Sequence, residues 1–304
     1  MSKKIRPIIL AGGVGKRLWP LSTKYNPKQF IPIFQDLSLF DLTLQRANNS
    51  LFKKPIVVTS KKYLKQVSKA FERTGLKPSL IVLEPESKNT YSAITLAALL
   101  SNEELGKDKL IIMPSDHYIS NNMNFYQACK KALKEDKESL YLLGIKPEYA
   151  SSEYGYINFE NGSSKKIEFI EKPNAKKVKE LLASNKVYWN SGIFIFGKSW
   201  FLNKSRQSDP ILFKKIEASV TEGRQKGNLF YPENISFSSI KPISFDHGFV
   251  EKCKDISVIK LDAGWLDLGS WVSLMKLESN LSPSLYSDEP TLKTERPWGF
   301  FQVL

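Results

Sequence analysis

Residues Ile8 to Phe30 read IILAGGVGKRLWPLSTKYNPKQF, and this stretch decides what kind of fold to expect. The apolar run Ile8-Ile9-Leu10 suits a buried strand. It empties into a turn carrying Gly12, Gly13 and Gly15, and Arg17 and Lys28 flank the proline-bounded loop that follows. Glycines lack Cβ atoms, so their N–H groups approach an anion closely, and the two cations can neutralise it. A strand ending in such a loop is where open α/β sheets bind nucleotides. Two common motifs are excluded. Walker A requires Ser or Thr after Gly15-Lys16, where this chain has Arg17. A dinucleotide fingerprint starting at Gly13 requires a third glycine at position 18, which is Leu18. An ordinary glycine-rich turn is the competing structural reading of the segment.

Outward from this loop, strand-like and helix-like segments alternate. Strands are expected at Ile5–Leu10, Ile56–Thr59, Leu80–Leu83, Leu110–Met113 and Leu140–Gly144, with helices near Leu39–Asn48, Lys62–Arg73, Thr90–Leu100 and Phe125–Lys134. That alternation implies βαβ units with right-handed crossovers and a mainly parallel sheet flanked by helices. After Gly144 the texture changes. Tyr154–Phe159 and Lys166–Glu171 read as strands joined by a hairpin turn at Asn161-Gly162. A lysine-rich helix from Ala175, a strand at Gly192–Phe196, helices near Trp200 and over Pro210–Glu222, and a returning strand at Ile256–Leu261 follow.

The 304 residues suit one large α/β unit with a smaller appendage. The expected division is a main unit over 1–280, with a change of texture after about 145, and a short tail over 281–304. No segment has the length of a membrane span, and the first residues lack a secretory signal pattern, so a cytoplasmic location with no membrane partner is expected. Two cysteines, Cys129 and Cys253, give no disulfide framework. The net charge of +14 raises nucleic acid as a partner, but the lysines are scattered over different elements and no zinc-finger or RNP-like pattern accompanies them. A solvated lysine surface is expected, with attraction of polyanionic nucleotides as a secondary effect.

Asp116, in Pro114-Ser115-Asp116-His117, falls at the carboxyl end of a buried strand, and Asp267 lies in WLDLGSW. Two carboxylates at strand ends suit Mg²⁺ shared with phosphate oxygens. Helix capping by Asp116, and by Ser270 after Gly269, is the structural alternative. Phe169-Ile170-Glu171-Lys172-Pro173 places an acceptor for sugar hydroxyls beside a cation for a sugar phosphate; a surface ion pair before a proline is the alternative. Gly155 allows close approach of a sugar ring, and Asn190 both donates and accepts. Tyr154 and Trp189 beside them suit plain core equally well.

In their order, the blocks LAGGVGKRLWPLS, NPKQF, EPESKNT, PSDH, EYGYI, FIEKP, WNSGIF, FDHGFVEK and WLDLGSW resemble the mannose-1-phosphate guanylyltransferases, among the sugar-1-phosphate nucleotidylyltransferases, from Arg6 to about Trp271. The resemblance implies a Rossmann-like nucleotidyltransferase fold making GDP-mannose and pyrophosphate from GTP and α-D-mannose 1-phosphate, with Mg²⁺ as cofactor. It assigns Leu10, Ala11, Gly12, Gly13, Gly15, Lys16, Glu84, Asn89 and Ser115 to the nucleotide. Arg17, Lys28 and Lys172 become the catalytic cations. Gly155, Glu171, Lys172 and Asn190 go to the sugar phosphate, and Asp116 and Asp267 to the metal. Several positions depart from the family pattern: Lys16 stands where Thr or Ser is usual, Thr23 where Arg is frequent, and the usual EPxGRNTAPA block reads EPESKNTYSA over Glu84–Ala93, with Lys88 in place of an Arg fork.

The nucleophile of such a reaction is already an anion, so no Ser, Cys or His is required, which suits a chain with two histidines. Another base or sugar, and a non-catalytic sugar-nucleotide sensor, remain alternative readings, and a homodimer is left open. The tail Arg296-Pro297-Trp298-Gly299-Phe300 resembles the opening of the cupin-type isomerase domain of longer family members. No phosphomannose isomerase activity is expected of these 304 residues, which conversion of fructose 6-phosphate to mannose 6-phosphate would contradict.

Overall fold

Alternation along single strands builds the core on both faces of one sheet. Ile8 and Ile9 are neighbours with no exposed surface, yet they belong to different apolar clusters, because successive strand residues point to opposite faces. Burying one such side chain contributes about 1.5–3 kcal/mol. The computed structural model describes residues 4–13, 15, 18–34, 36–102, 109–159, 167–184, 186–271, 273–275 and 277.

The strands are β1 (Ile5–Leu10), β2 (Pro32–Phe34), β3 (Leu37–Ser38), β4 (Ile56–Ser60), β5 (Leu80–Glu84), β6 (Lys109–Pro114), β7 (Tyr118–Ile119), β8 (Leu140–Ile145), β9 (Tyr156–Phe159), β10 (Ile167–Ile170), β11 (Val187–Gly197), β12 (Arg224–Lys226), β13 (Leu229–Tyr231), β14 (Ile256–Lys260) and β15 (Trp265–Leu266). The helices are α1 (Leu39–Ala47), α2 (Leu64–Thr74), α3 (Asn89–Leu100), α4 (Asn122–Lys134), α5 (Ala175–Ala183), α6 (Lys198–Ser208), α7 (Pro210–Thr221), α8 (Asn234–Ser238) and α9 (Phe245–Gly248).

The main sheet is mixed, in the order β10-β9-β11-β6-β1-β4-β5-β13-β12, with β8 paired to β11 and β14 to β8. β6, β1, β4 and β5 are parallel, as the alternating first half predicts. β11 then runs antiparallel to β6, β8 and β9. Helices α1, α2, α4 and α5 cover the Ile9 face; α3, α6, α7, α8 and α9 cover the Ile8 face. This is the helix-flanked α/β architecture expected from the sequence.

Local chemistry sets the element ends. α1 opens with a capping box: Ser38 Oγ accepts from Asp41 N while Asp41 Oδ2 accepts from Ser38 N. α4 starts at Asn122 because Asn121 caps it through Asn124 N, three residues earlier than the apolar pattern suggests. β11 is longer than the expected Gly192–Phe196, since its first residues alternate in burial where they pair with β9. Tyr154 precedes β9 instead of opening it. β9 and β10 pair antiparallel as the hairpin reading requires, with Phe159 opposite Ile167; the turn Asn161-Gly162 lies outside the described residues, as does the 281–304 tail. Among the described residues no helix is long and apolar enough to cross a membrane.

Candidate active site

The parallel register brings the carboxyl ends of β1, β5 and β6 to one edge of the sheet, where Leu10, Glu84 and Pro114 finish their strands. Ser115 N donates to Leu10 O at 3.1 Å, tying the end of β6 to the start of the glycine loop. Ala11 is pinned from below by Val58 and by the Thr59 hydroxyl at 2.9 Å. Gln29 reaches back to donate to Gly13 O at 2.9 Å and to Ala11 O at 3.3 Å. Gly15 has φ +67°, and a Cβ there would meet Lys28 Cβ at 2.8 Å, so glycine is required by both backbone and space. Lys16 and Arg17 lie outside the described residues.

Lys28 is almost fully buried, and its ammonium joins the two aspartates of the sequence reading. It forms an ion pair with Asp116 Oδ2 at 3.2 Å and donates to the backbone oxygen of Asp267. The cause is a two-residue ribbon. β15 pairs antiparallel with β7, Leu266 opposite Tyr118, which sets Asp267 beside the Asp116-His117 turn. Tyr154 donates its hydroxyl to Asp267 Oδ1 at 3.0 Å and fixes that carboxylate. Burial raises the Asp116 carboxyl, but the Lys28 ammonium outweighs it and holds the group below its ordinary value. Burial lowers His117, favouring the neutral ring, whose Nδ1 accepts from Trp265 Nε1 at 3.2 Å. Asp116 does not cap α4, since Asn121 does; Ser270 does accept from Ser273 N at 3.2 Å, so that capping alternative holds.

Glu84 lies at the end of β5 with its side chain turned towards the glycine loop; a Cβ on Gly12 would sit 3.6 Å from its Oε2. Its Oε1 is buried without a hydrogen-bond partner among the described residues, and burial pushes its pKa up to about 8. Lys88 is turned away, donating to Ser238 O at 2.7 Å and pairing with Glu86 at 3.2 Å. Asn89 opens α3 with φ +68°, exposed, and its Oδ1 accepts from Thr90 N.

The second cluster lies where β9, β10 and β11 meet. The β11–β8 register slips between Asn190 and Phe194, a bulge with Gly192 at φ +70°, and such bulges re-aim side chains. Asn190 N donates to Gly155 O at 2.8 Å, and its Oδ1 accepts from Gly192 N at 3.1 Å. Glu171 pairs with Lys172 at 3.4 Å, and Lys172 sits at φ +43°. Lys172, Asn89 and Leu268, which follows Asp267, are three of the four described non-glycine residues at positive φ, with Asp36 the fourth; such conformations cluster at active sites and are ordinary for Asn and Asp. A Cβ on Gly155 would meet Glu171 Oε2 at 2.6 Å and Phe169 Cζ at 2.9 Å. Gly155→Ala is therefore expected to displace the Glu171 carboxylate and raise the KM of a substrate held by it about tenfold, roughly 1.4 kcal/mol. An unchanged KM would show that Glu171 has room to move.

The geometry thus brings Lys28, Asp116 and Asp267 together, and Gly155, Glu171, Lys172 and Asn190 together, while Glu84 borders the glycine loop. It also shows contributors that the sequence reading left without a role. Gln29 could be suspected from its place in the NPKQF block; nothing local marks it as the brace of the glycine loop. Tyr154 is read from sequence as an aromatic neighbour, and its bond to a residue 113 positions away is a tertiary fact. Asp246 in FDHGFVEK accepts from Asn190 Nδ2 at 2.9 Å.

The α/β fold thus holds a strand-end glycine loop, a buried lysine in contact with two aspartates, and a lysine–glutamate pair beside Gly155 and Asn190. The chain belongs to the nucleotidyl transferase family, whose model matches residues 6–283. It is 36% identical over 274 residues to the xanthan biosynthesis protein XanB of Xanthomonas campestris, covering 89% of this chain and 59% of that protein. It is 32% identical over 280 residues to the mannose-1-phosphate guanylyltransferase RfbM of Salmonella typhimurium, covering 90% and 58%. The chain therefore spans less than two thirds of the length of these relatives. Among solved structures, a Helicobacter pylori protein described as a mannose-6-phosphate isomerase aligns with TM-score 0.76 and 30% identity over 86% of this chain and 99% of that one. A Thermus thermophilus protein described as a mannose-1-phosphate geranyltransferase aligns with TM-score 0.73 and 25% identity, over 91% and 80%.

Proposed function

We propose that the protein makes GDP-mannose and pyrophosphate from GTP and α-D-mannose 1-phosphate. The observation carrying this reading is the Lys28 ammonium between Asp116 and the Asp267 backbone, at the edge shared with the glycine loop. The names of the relatives, RfbM among them, support the choice of mannose and guanine. Residues 1–145 supply the nucleotide half and 146–280 the sugar-phosphate half.

A phosphate oxygen of the sugar phosphate attacks the α-phosphorus of GTP in line. A new phosphorus–oxygen bond forms, the bond to the bridging oxygen breaks, and pyrophosphate leaves with that electron pair. The chain's task is positioning and charge neutralisation. Lys28 faces the α-phosphate once its pairing with Asp116 is exchanged for phosphate oxygens. Arg17, by its place in the sequence, grips the leaving pyrophosphate. Glu171 and Asn190 hold sugar hydroxyls, and Lys172 aligns the attacking phosphate. The donor set suits Mg²⁺, which takes one or two carboxylates together with substrate phosphates; Asp116 and Asp267 would hold it. Bound there, the ion would neutralise charge growing on the α-phosphate and pyrophosphate.

Pyrophosphate release measured across four NTPs and several sugar 1-phosphates with Mg²⁺ tests this. GTP with mannose 1-phosphate is expected to be the fastest pair; faster turnover with another base or sugar would reassign the substrate, and no release with any pair would remove the enzyme reading. Lys172→Met is expected to raise the KM for mannose 1-phosphate at least tenfold and leave that for GTP within about twofold, the loss of one charge-assisted contact. Equal damage to both would place Lys172 on the triphosphate or in the scaffold.

A further inference from the structure

We infer that Asp246 is a positioning residue of the sugar-phosphate half-site, setting the orientation of the Asn190 amide; this rests on the sugar reading of that pocket. An asparagine amide has two orientations of similar shape and opposite chemistry, and its neighbours decide between them. Here both ends are determined. Gly192 N donates to Asn190 Oδ1 at 3.1 Å, and Asn190 Nδ2 donates to Asp246 Oδ1 at 2.9 Å. Rotating the amide would turn its NH₂ group onto the Gly192 N–H and its oxygen onto a carboxylate, replacing two attractions by two repulsions. Asp246 is acceptor-only when ionised, so it imposes one orientation.

The carboxyl also belongs electrostatically to the sugar cluster. Desolvation, and then the nearby Glu171 carboxylate, push its pKa up to about 6, while Lys172 and the Asn190 bond oppose the rise. Asp246 is carried by α9 and Glu171 by the residues that follow β10. α9 is anchored on the nucleotide side. Phe245 N donates to Thr90 Oγ1 at 2.8 Å, and Ile243 N to Lys88 O at 3.3 Å. Gly248 packs so tightly on Tyr91 that a Cβ would meet its ring at 2.4 Å. The segment carrying Asp246 thus runs from Lys88 and Thr90 at the start of α3 to the Asn190 amide. A helix of four residues placed this way sets one carboxylate against one amide.

The test is a double-mutant cycle on Asn190→Ala and Asp246→Ala, with pyrophosphate release read against both substrates, using whichever sugar 1-phosphate the wild type accepts. Absence of turnover by the wild type would be a failure of the transferase reading; the variants bear on Asp246 alone. Asp246→Ala is expected to raise the sugar-phosphate KM about tenfold with the GTP KM unchanged. The double variant should be no worse than Asn190→Ala, because Asp246 acts through that amide. Asp246→Asn, which can still present an oxygen to Asn190 Nδ2, should stay within about threefold of wild type. Additive losses, equal rises in both KM values, or an unchanged sugar-phosphate KM would each overturn the inference. Should Asp246→Ala not fold, the reversed pair decides. Asn190→Asp alone sets two carboxylates together, and adding Asp246→Asn restores a donor–acceptor pair of opposite polarity. Recovery of several-fold in sugar-phosphate KM supports the inference, and no recovery overturns it.

Discussion

Asp116→Asn and Asp267→Asn are each expected to lower turnover about a thousandfold while the protein stays folded. Both substitutions keep the side-chain shape and remove a charge. A divalent ion on phosphoryl oxygens supplies several kcal/mol of transition-state stabilisation, and each 1.36 kcal/mol is about a factor of ten in rate. At Asp116 the variant's amide oxygen stays in reach of the buried Lys28 ammonium, which keeps the contact although not the charge. Asp267 keeps its bond from Tyr154 through the same oxygen position. Rates and melting temperatures of the two variants, measured across a range of Mg²⁺ concentrations, check this. Turnover near wild type in both would remove the metal assignment, whereas loss of folding would make them scaffold residues.

The second large effect belongs to Glu84. Its pKa stands at about 8 in the folded protein, against an ordinary 4.5, because burial disfavours the charge. The folded state therefore keeps this proton where the unfolded chain has released it, and stability falls as pH rises from about 4.5 to about 8. At roughly 1.36 kcal/mol per unit, the penalty above that window is several kcal/mol. Glu84→Gln keeps the volume and cannot ionise. It should melt several degrees above wild type at about pH 9 and within a degree or two of it at about pH 5; equal melting temperatures at both would contradict the burial account. The same carboxyl is the candidate reader of guanine, since Oε1 lacks a partner and guanine offers N1–H and a 2-amino group. Glu84→Ala should then reduce the preference for GTP over ATP by about tenfold or more, one buried hydrogen bond being about 1–3 kcal/mol. A preference retained in full would clear Glu84 of that role and leave the base to backbone groups.

Much of the fold was legible because buried parallel strands and amphipathic helices carry strong local patterns. Ile8-Ile9-Leu10 with its glycine loop, and the apolar strand leading to Asp116, are readable from neighbours in sequence alone. β11 was only half legible: the alternation of Val187–Trp189 reflects pairing with β9, a partner about thirty residues away in the chain. The bulge that aims Asn190 has one local sign, Gly192, and the β7–β15 ribbon that delivers Asp267 has none, being two residues long on each side. The place of Lys28 in a loop points to phosphate; that it rests on Asp116 and on Asp267, the latter 239 positions away, depends on tertiary packing. Asp246, within FDHGFVEK, has no local sign of its role, since a carboxylate before a histidine in a short helix looks like surface until its amide partner is in place.

In the proposed reaction the α-phosphorus of GTP passes to the sugar phosphate at the edge where Lys28, Asp116 and Asp267 meet. Its most direct test follows two labels. With mannose 1-phosphate and Mg²⁺, GTP labelled at the α-phosphate should place its label in GDP-mannose, and GTP labelled at the γ-phosphate should place its label in pyrophosphate, in equal amounts. Gamma label in a sugar product, or α label remaining in unreacted GTP while the sugar phosphate is consumed, would contradict the account.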